Sequence, residues 1–515
     1  MDYDFAITGG TVIDGTGSPR RTTDVAIVGD RIAAIGPGPF PATETIDATG
    51  CIVTPGFIDL HSHADFTVLG HPGAETQLAQ GVTTLVTGNC GLSTFPVPGS
   101  AQAGSAWPDA YGFGAAITAA RPAVNVGLQV GHNTLRVAVI GDEDRPPTTA
   151  ELEQMCAIIS ESATAPGIVG FSTGLIYIPG LFAETDELRT LVATAATAGL
   201  LYSTHMRNET SELAAAVEEA IETAEQAGAR LQISHLKAMG PENWGSVHRA
   251  LELMDQARVR GVDVTADVYP YTASSTDLSS RLARWAVDGG LPALLERLAD
   301  PGTRMRIADE LRSRFGRDID PDGVVIAALP SGEFHRYIGY SLSEIGADRG
   351  TDAADAALDV LAAHQGSVSI VNHAMSEDDM RSVLTHPQVS VASDGAMLAP
   401  DGPGRPHPRS FGTFARVLGR YVRDERTLTL EDAIRKMTSL PASRIRVTDR
   451  GILAPSAAAD VVILDPDTVE DTSTFDAPWQ LARGVRDVFV NGIPTVSGGD
   501  LTGHRGGRLL ERSAA

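Results

Sequence analysis

The chain has 515 residues, 43% hydrophobic and 20% charged, the balance of a folded protein long enough for two domains. Its formal charge is 40 − 65 = −25, which argues against binding nucleic acid or an anionic membrane, since both require phosphates neutralised by Lys and Arg. Cys51, Cys90 and Cys156 are too few, and odd in number, for a disulfide framework.

No stretch has the continuous apolarity of a membrane span. The acidic start Met1-Asp2-Tyr3-Asp4 lacks the basic and apolar regions of a signal peptide. A cytoplasmic protein with reduced thiols is expected.

Residues 5 to 36 read as short strands. Phe5-Ala6-Ile7-Thr8 runs into Gly9-Gly10, and Val25-Ala26-Ile27-Val28 turns at Gly29-Asp30 into Arg31-Ile32-Ala33-Ala34-Ile35. Residues 459 to 497 repeat the style, with Val461-Val462-Ile463-Leu464 and a hairpin dipeptide at Asn491-Gly492. Neither end has enough strand to bury a face alone. Together, 1–54 and 450–515 are expected to form one small β-sandwich domain.

Between them, 55–449 alternates apolar runs with helical stretches, the pattern of a parallel sheet. Candidate strands end at His61-Ser62-His63, Cys90, His132, Gly174, His205, His235, Val268-Tyr269-Pro270 and Asp394. A ninth, Ser367-Val368-Ser369-Ile370-Val371, is one too many for an eight-stranded barrel. Thr210 or Ser211 could cap a helix closed by Gly228, and Asn243 or Ser246 could start another before Gly261. The stretch from about 276 to 345 breaks the rhythm and reads as a lid-like insertion. The last ten residues read as a frayed tail. The fold class is a TIM-like (β/α)8 barrel with the small β-sandwich at its side.

Six possible metal ligands stand at the ends of these strands: His61, His63, Cys90, His205, His235 and Asp394. Equivalent positions in successive βα units converge at one mouth of a barrel, and thiolate, imidazole and carboxylate supply the lone pairs a metal needs. His61 and His63 are two apart on a strand, so both face the same side. Thiolate plus two imidazoles suits zinc better than magnesium or calcium and leaves a position for water. Cys51 and Cys156 lie away from this set and read as structural, as do His132, His335 and His373.

The run Thr54-Pro55-Gly56-Phe57-Ile58-Asp59-Leu60-His61-Ser62-His63, with His205, His235 and Asp394, resembles the amidohydrolase superfamily of metal-dependent barrel hydrolases. Many members carry a bridging lysine or glutamate on strand four. Gly170-Phe171-Ser172-Thr173-Gly174-Leu175 has neither. Cys90 in Gly88-Asn89-Cys90-Gly91 fills that gap as in the D-aminoacylase branch, the N-acyl-D-amino-acid deacylases. Gly174-Leu175-Ile176-Tyr177-x-Pro179-Gly180, Thr204-His205-x-Arg207, Ile233-Ser234-His235-x-Lys237, Tyr269-Pro270-Tyr271-Thr272-Ala273, Ser393-Asp394-Gly395 and His407-Pro408-Arg409 extend the likeness over nearly the whole chain.

The resemblance implies zinc-dependent hydrolysis of the amide of N-acyl-D-amino acids by attack of metal-bound water. It implies one tight zinc site at Cys90, His205 and His235, and a second, weaker or empty one at His61, His63 and Asp394. Asp394 is the implied general base and Tyr177 polarises the scissile carbonyl. Lys237, Tyr269, Ser275 and Arg409 match substrate-binding positions, and the fork of Arg409 suits a carboxylate. The partner is then a small-molecule substrate, with no nucleic acid and no membrane; the oligomeric state stays open.

Three alternatives remain. The first is a dipeptidase acting on peptides with a C-terminal D-residue, using the same pocket. The second is a serine hydrolase using Ser172 in Gly170-x-Ser172-x-Gly174, although Leu175-Ile176-Tyr177-Ile178-Pro179-Gly180 is poor material for the helix such an elbow needs. The third is a non-catalytic scaffold, which would be expected to have lost some of the six ligands.

Overall fold

The structure, a computed structural model, describes residues 3–97 and 107–512. Eight parallel strands wind in chain order: β1 (Phe57–Asp59), β2 (Val82–Thr87), β3 (Asn125–Gly131), β4 (Ile168–Gly174), β5 (Leu201–His205), β6 (Leu231–Ile233), β7 (Val264–Val268) and β8 (Val389–Val391). Every residue of β2, β3 and β4 is buried, because a barrel wall is covered on both faces. The seam between β8 and β1 is closed just beyond the strands. Asp394 N donates to His61 O at 2.8 Å, His63 N donates to Gly395 O at 2.7 Å, and Ser62 bridges Gly395 in parallel.

Helices cover the outside. Leu213–Ala227 buries Leu213, Ala216, Val217, Ala220, Ile221 and Ala224, a stripe with the spacing of one helical face, and stops at Gly228 with φ 63°. Its start is not capped by Thr210 or Ser211. The Asn208 carboxamide oxygen instead accepts from the amides of Thr210 and Glu212, which turns the chain before the helix begins. Ser246 stands before Val247–Val259, but its side chain makes no capping bond.

The ninth strand belongs elsewhere. Ser369–His373 is the centre of a three-stranded antiparallel sheet, flanked by Ala273–Asp277 and Val324–Ala328. This sheet is inserted between β7 and β8. The helices of the insertion pack on it around a hydrophobic core of their own that includes Leu294, Leu311, Ile326, Ile345, Leu358 and Ile370.

The two chain ends form two further sheets. One has four strands, with Tyr3–Thr8 between Asp24–Val28 and Ala42–Asp47. The other has seven and pairs Ile52–Pro55 with Val461–Leu464, so both ends share one ladder. Ile7, Val25, Ile27 and Ile32 pack with Val461, Ile463 and Phe489 in their common core. The expected frayed tail is docked through residue 512. Leu509 bridges Val126 of β3, Leu510 is buried, and Arg512 donates to the carbonyls of Ala163 and Ala198. Among the described residues no helix is long and apolar enough to cross a membrane.

Candidate active site

The carboxyl ends of the strands open into a cavity of about 820 Å³. His63, Cys90, Tyr177, His205, His235, Lys237, Tyr269, Ser275, Asp394 and Arg409 all line it. His61 lies beneath, fully buried. Cys90, His235 and Asp394 have φ of 55°, 37° and 51°. A left-handed backbone is costly for side chains with a Cβ, and three of the six expected ligands adopt it where the strands end and the chain turns over the barrel mouth.

Two donor groups result: His61, His63, Cys90 and Asp394, and Cys90, His205 and His235, with the ligand atoms of each group within 4.8 Å of one another. Cys90 Sγ lies 3.3 Å from His61 Nε2 and 3.6 Å from His235 Nε2. Asp394 Oδ1 lies 3.3 Å from His61 Nε2 and 3.0 Å from His63 Nε2. Neither ring nitrogen of buried His205 makes a well-aligned hydrogen bond, although Nε2 lies 3.4 Å from a Glu209 carboxylate oxygen. Thiolate, imidazole and carboxylate at this spacing fit a transition-metal ion.

Burial by itself would raise the Cys90 thiol. The rings of His61, His205 and His235 outweigh it and hold the thiol well below its usual value. Burial would likewise raise Asp394, but Arg409, His61 and His235 keep it well below the ordinary carboxylate range. Both shifts favour the anionic form, the one that binds a metal.

Behind the donors stand residues that the sequence did not single out. Asp267, near the end of β7, accepts from His61 Nδ1 at 3.1 Å, from the His235 amide at 2.7 Å and from Gln232 Nε2 at 2.7 Å. Glu209, four residues after His205, lies 3.1 Å from His235 Nδ1, 3.4 Å from His205 Nε2 and 2.5 Å from Lys237 Nζ. Such carboxylates fix the tautomer and orientation of a ligating imidazole. The available signals were an aspartate inside the apolar run Val264–Val268, and a glutamate one helical turn beyond a strand-end histidine.

The expected substrate contacts are in different states. Lys237 lines the cavity with its ammonium engaged by Glu209 and by His235 Nδ1 at 2.9 Å. Arg409 Nη1 donates to Asp394 Oδ2 at 2.7 Å, and Nη2 reaches the Ser275 carbonyl at 3.4 Å. The Tyr269 hydroxyl is buried without a hydrogen-bond partner, while the ring stacks beneath the Arg409 guanidinium. The Tyr177 hydroxyl is 3.3 Å from Thr276 Oγ1, and its ring meets His205 edge to face. Burial and the Cys90 thiolate raise the Tyr177 phenol well above its usual value, so it stays a donor.

Ser172 is not an exposed nucleophile. It is buried in β4, donates to the Gly88 carbonyl and accepts from the Gly91 amide at 3.0 Å. It braces the loop that carries Cys90. His132 is also buried, paired with Glu187 at 2.8 Å.

The model of the amidohydrolase family matches residues 44–496. The chain is 40% identical to an N-acyl-D-glutamate deacylase of Alcaligenes xylosoxydans xylosoxydans, over 99% of this chain and 97% of that one. It is 37% identical to a D-aminoacylase of the same organism, over 100% and 98%. The crystal structure of N-acyl-D-glutamate deacylase from Bordetella bronchiseptica, complexed with zinc and a phosphonate mimic of the tetrahedral intermediate, superposes with a TM-score of 0.84 at 38% identity, covering 99% of this chain and 100% of that chain. This protein belongs to the amidohydrolase family, in its N-acyl-D-amino-acid deacylase branch.

Proposed function

We propose that the protein hydrolyses the amide bond of N-acyl-D-amino acids, releasing a carboxylate and the free D-amino acid. The observation that carries this reading is the cavity in which Cys90, His205, His235, His61, His63 and Asp394 converge beside Arg409 and Tyr269. The D hand is taken from the relatives.

Cys90, His205 and His235 would hold zinc tightly, and His61, His63 and Asp394 form a second donor set beside them. When bound, zinc supplies Lewis acidity and lowers the pKa of water toward neutrality. Asp394 accepts a proton from the attacking water and returns it to the departing nitrogen. The acyl carbon gains a C–O bond as the C–N bond breaks. The Tyr177 hydroxyl donates to the carbonyl oxygen as charge builds there. Arg409, with Lys237, Tyr269 and Ser275 around it, holds the α-carboxylate, and the unpartnered Tyr269 hydroxyl supports that role. With carboxylate and carbonyl both fixed, a pocket open on one side selects one hand at Cα.

The test is a screen of N-acetyl-D-amino acids, their L-forms and L-D dipeptides, with metal analysis of the purified protein. Cleavage of D-forms by a zinc-containing enzyme is expected. Equal cleavage of L-forms, or full activity with no transition metal after exhaustive chelation, would overturn the reading. Preference for dipeptides would favour the dipeptidase alternative.

A further inference from the structure

Asn133 stands behind the cavity wall, 1% exposed, as the second residue of the helix His132–Val139 that follows β3. Its carboxamide meets the chain where β4 ends. Nδ2 donates to the Gly174 carbonyl at 3.0 Å and to the Tyr177 carbonyl at 3.1 Å, and Oδ1 accepts from the Gly174 amide at 3.3 Å. Its own backbone amide donates to the carbonyl of Gly91, next to Cys90, at 2.8 Å. One residue thus joins the turn that carries Tyr177 to the loop that carries Cys90.

The fit is specific to a carboxamide. Nδ2 spends its two N–H groups on carbonyls and Oδ1 faces an N–H, a pattern that also fixes which end of the amide is which. A carboxylate of the same shape can only accept, and would face two carbonyl oxygens with nothing to donate. Gly91 and Gly180 make the room: a Cβ on either would stand closer to Oδ1 than van der Waals contact allows. Tyr177 lies in a turn beyond the strand, and its hydroxyl has one partner among the described residues, Thr276 Oγ1 at 3.3 Å. Within the turn, Tyr177 N donates to Gly174 O at 3.2 Å and Leu181 N to Tyr177 O at 2.8 Å. Asn133 ties that turn to the neighbouring βα unit.

We propose that Asn133 is a positioning residue for amide hydrolysis, holding the Tyr177 hydroxyl where charge builds on the acyl oxygen. This rests on the deacylase reading and on the role given there to Tyr177. Misplacing a reacting group by about 1 Å can cost on the order of 10²-fold. A donor that acts as charge builds shows in kcat rather than in KM. The bond to Gly91 comes from the main chain, so a substitution at the Asn133 side chain leaves it in place.

The experiment is a double-mutant cycle in kcat, with Tyr177→Phe as the second substitution, on the N-acetyl-D-amino acid cleaved fastest in the screen above. Asn133→Asp should lower kcat by on the order of 10 to 10²-fold, with KM within a few-fold of wild type and zinc content unchanged. Added to Tyr177→Phe it should lower kcat little further, because the hydroxyl it positions is already gone. Gly180→Ala presses on the carboxamide from the other side. It should behave in the same way, and it serves if Asn133→Asp does not fold. Effects of Asn133→Asp and Tyr177→Phe that multiply would show that Asn133 does not act through Tyr177, and overturn the proposal. So would wild-type kcat in both Asn133→Asp and Gly180→Ala, a loss of zinc in step with the loss of kcat, or a Tyr177→Phe variant as fast as wild type. Each of these leaves the deacylase reading intact. A wild type that cleaves no N-acetyl-D-amino acid overturns that reading and this proposal with it.

Discussion

Arg409 Nη1 donates to Asp394 Oδ2 at 2.7 Å, with both side chains buried. The residue proposed to hold the substrate therefore also holds the residue proposed as the base. On that proposal a substrate carboxylate entering the cavity would share this guanidinium with Asp394, and the position of the base would be set partly by what is bound. Arg409→Ala should raise KM strongly, since each charge-assisted hydrogen bond contributes about 1.5–3 kcal/mol. It should also lower kcat, because Asp394 loses its anchor. Arg409→Lys should restore part of kcat but little of KM, since an ammonium cannot form two parallel bonds. Steady-state kinetics on an N-acetyl-D-amino acid and on its carboxamide provide the check. An equal rise in KM for both compounds would show that Arg409 does not read the carboxylate.

Asp394→Asn keeps the shape of the side chain and removes its capacity to accept a proton. The expected result is a fall in kcat of about 10² to 10⁴-fold, the usual contribution of a general base, with the circular dichroism spectrum unchanged. If His61, His63 and Asp394 hold a second metal, loss of that donor would add to the effect. Turnover within a few-fold of wild type would assign the base elsewhere.

Much of this site was legible in the sequence because strand ends in a barrel are equivalent positions. His61, His63, Cys90, His205, His235 and Asp394 each follow a short apolar run, and the topology alone brings such positions to one mouth. What was not legible is pairing across strands. Nothing near Glu209 in the chain indicates that Lys237 lies 2.5 Å from it, or that Asp267 supports both His61 and the His235 amide. The ninth strand was recognisable as a strand but not as an outsider. Its partners, 273–277 and 324–328, are antiparallel and far apart in sequence, and local periodicity carries no record of them. The tail was misread for a related reason: a polar, small-residue composition says nothing about the edge of β3, against which Leu509 lies.

Glu209 is a positioning residue in this arrangement, acting through His235 and His205. Glu209→Ala leaves Lys237 and both imidazoles without their shared carboxylate. Zinc retention should weaken by about 10 to 100-fold, the usual cost of losing a carboxylate behind a ligating histidine. Glu209→Asp should recover part of it. The readout is zinc stoichiometry after dialysis against graded chelator, which a purely structural residue would not move if the melting temperature is unchanged. Full retention in Glu209→Ala would remove the residue from this role.

Lys436 lies outside the site, fully buried, with Nζ donating to the carbonyls of His386 at 2.5 Å and Val389 at 3.0 Å. A neutral amine has two N–H groups and satisfies both. Burial pulls its pKa from the ordinary 10.5 down to about 8. Between those two values the unfolded chain binds a proton that the folded chain does not, so this residue makes stability rise with pH across that window. Below about pH 8 the folded protein carries a buried ammonium, whose desolvation cost Asp432 at 4.0 Å offsets only in part. Lys436→Met removes the titration and leaves two carbonyls without a donor. The stability of wild type relative to the variant should therefore increase from pH 7 to pH 10, by at most about 1.4 kcal/mol per pH unit between the two pKa values. Thermal melts of both proteins at matched zinc and ionic strength measure the difference. A wild-type advantage that stays constant or shrinks as the pH rises would show that Lys436 is not held with a depressed pKa.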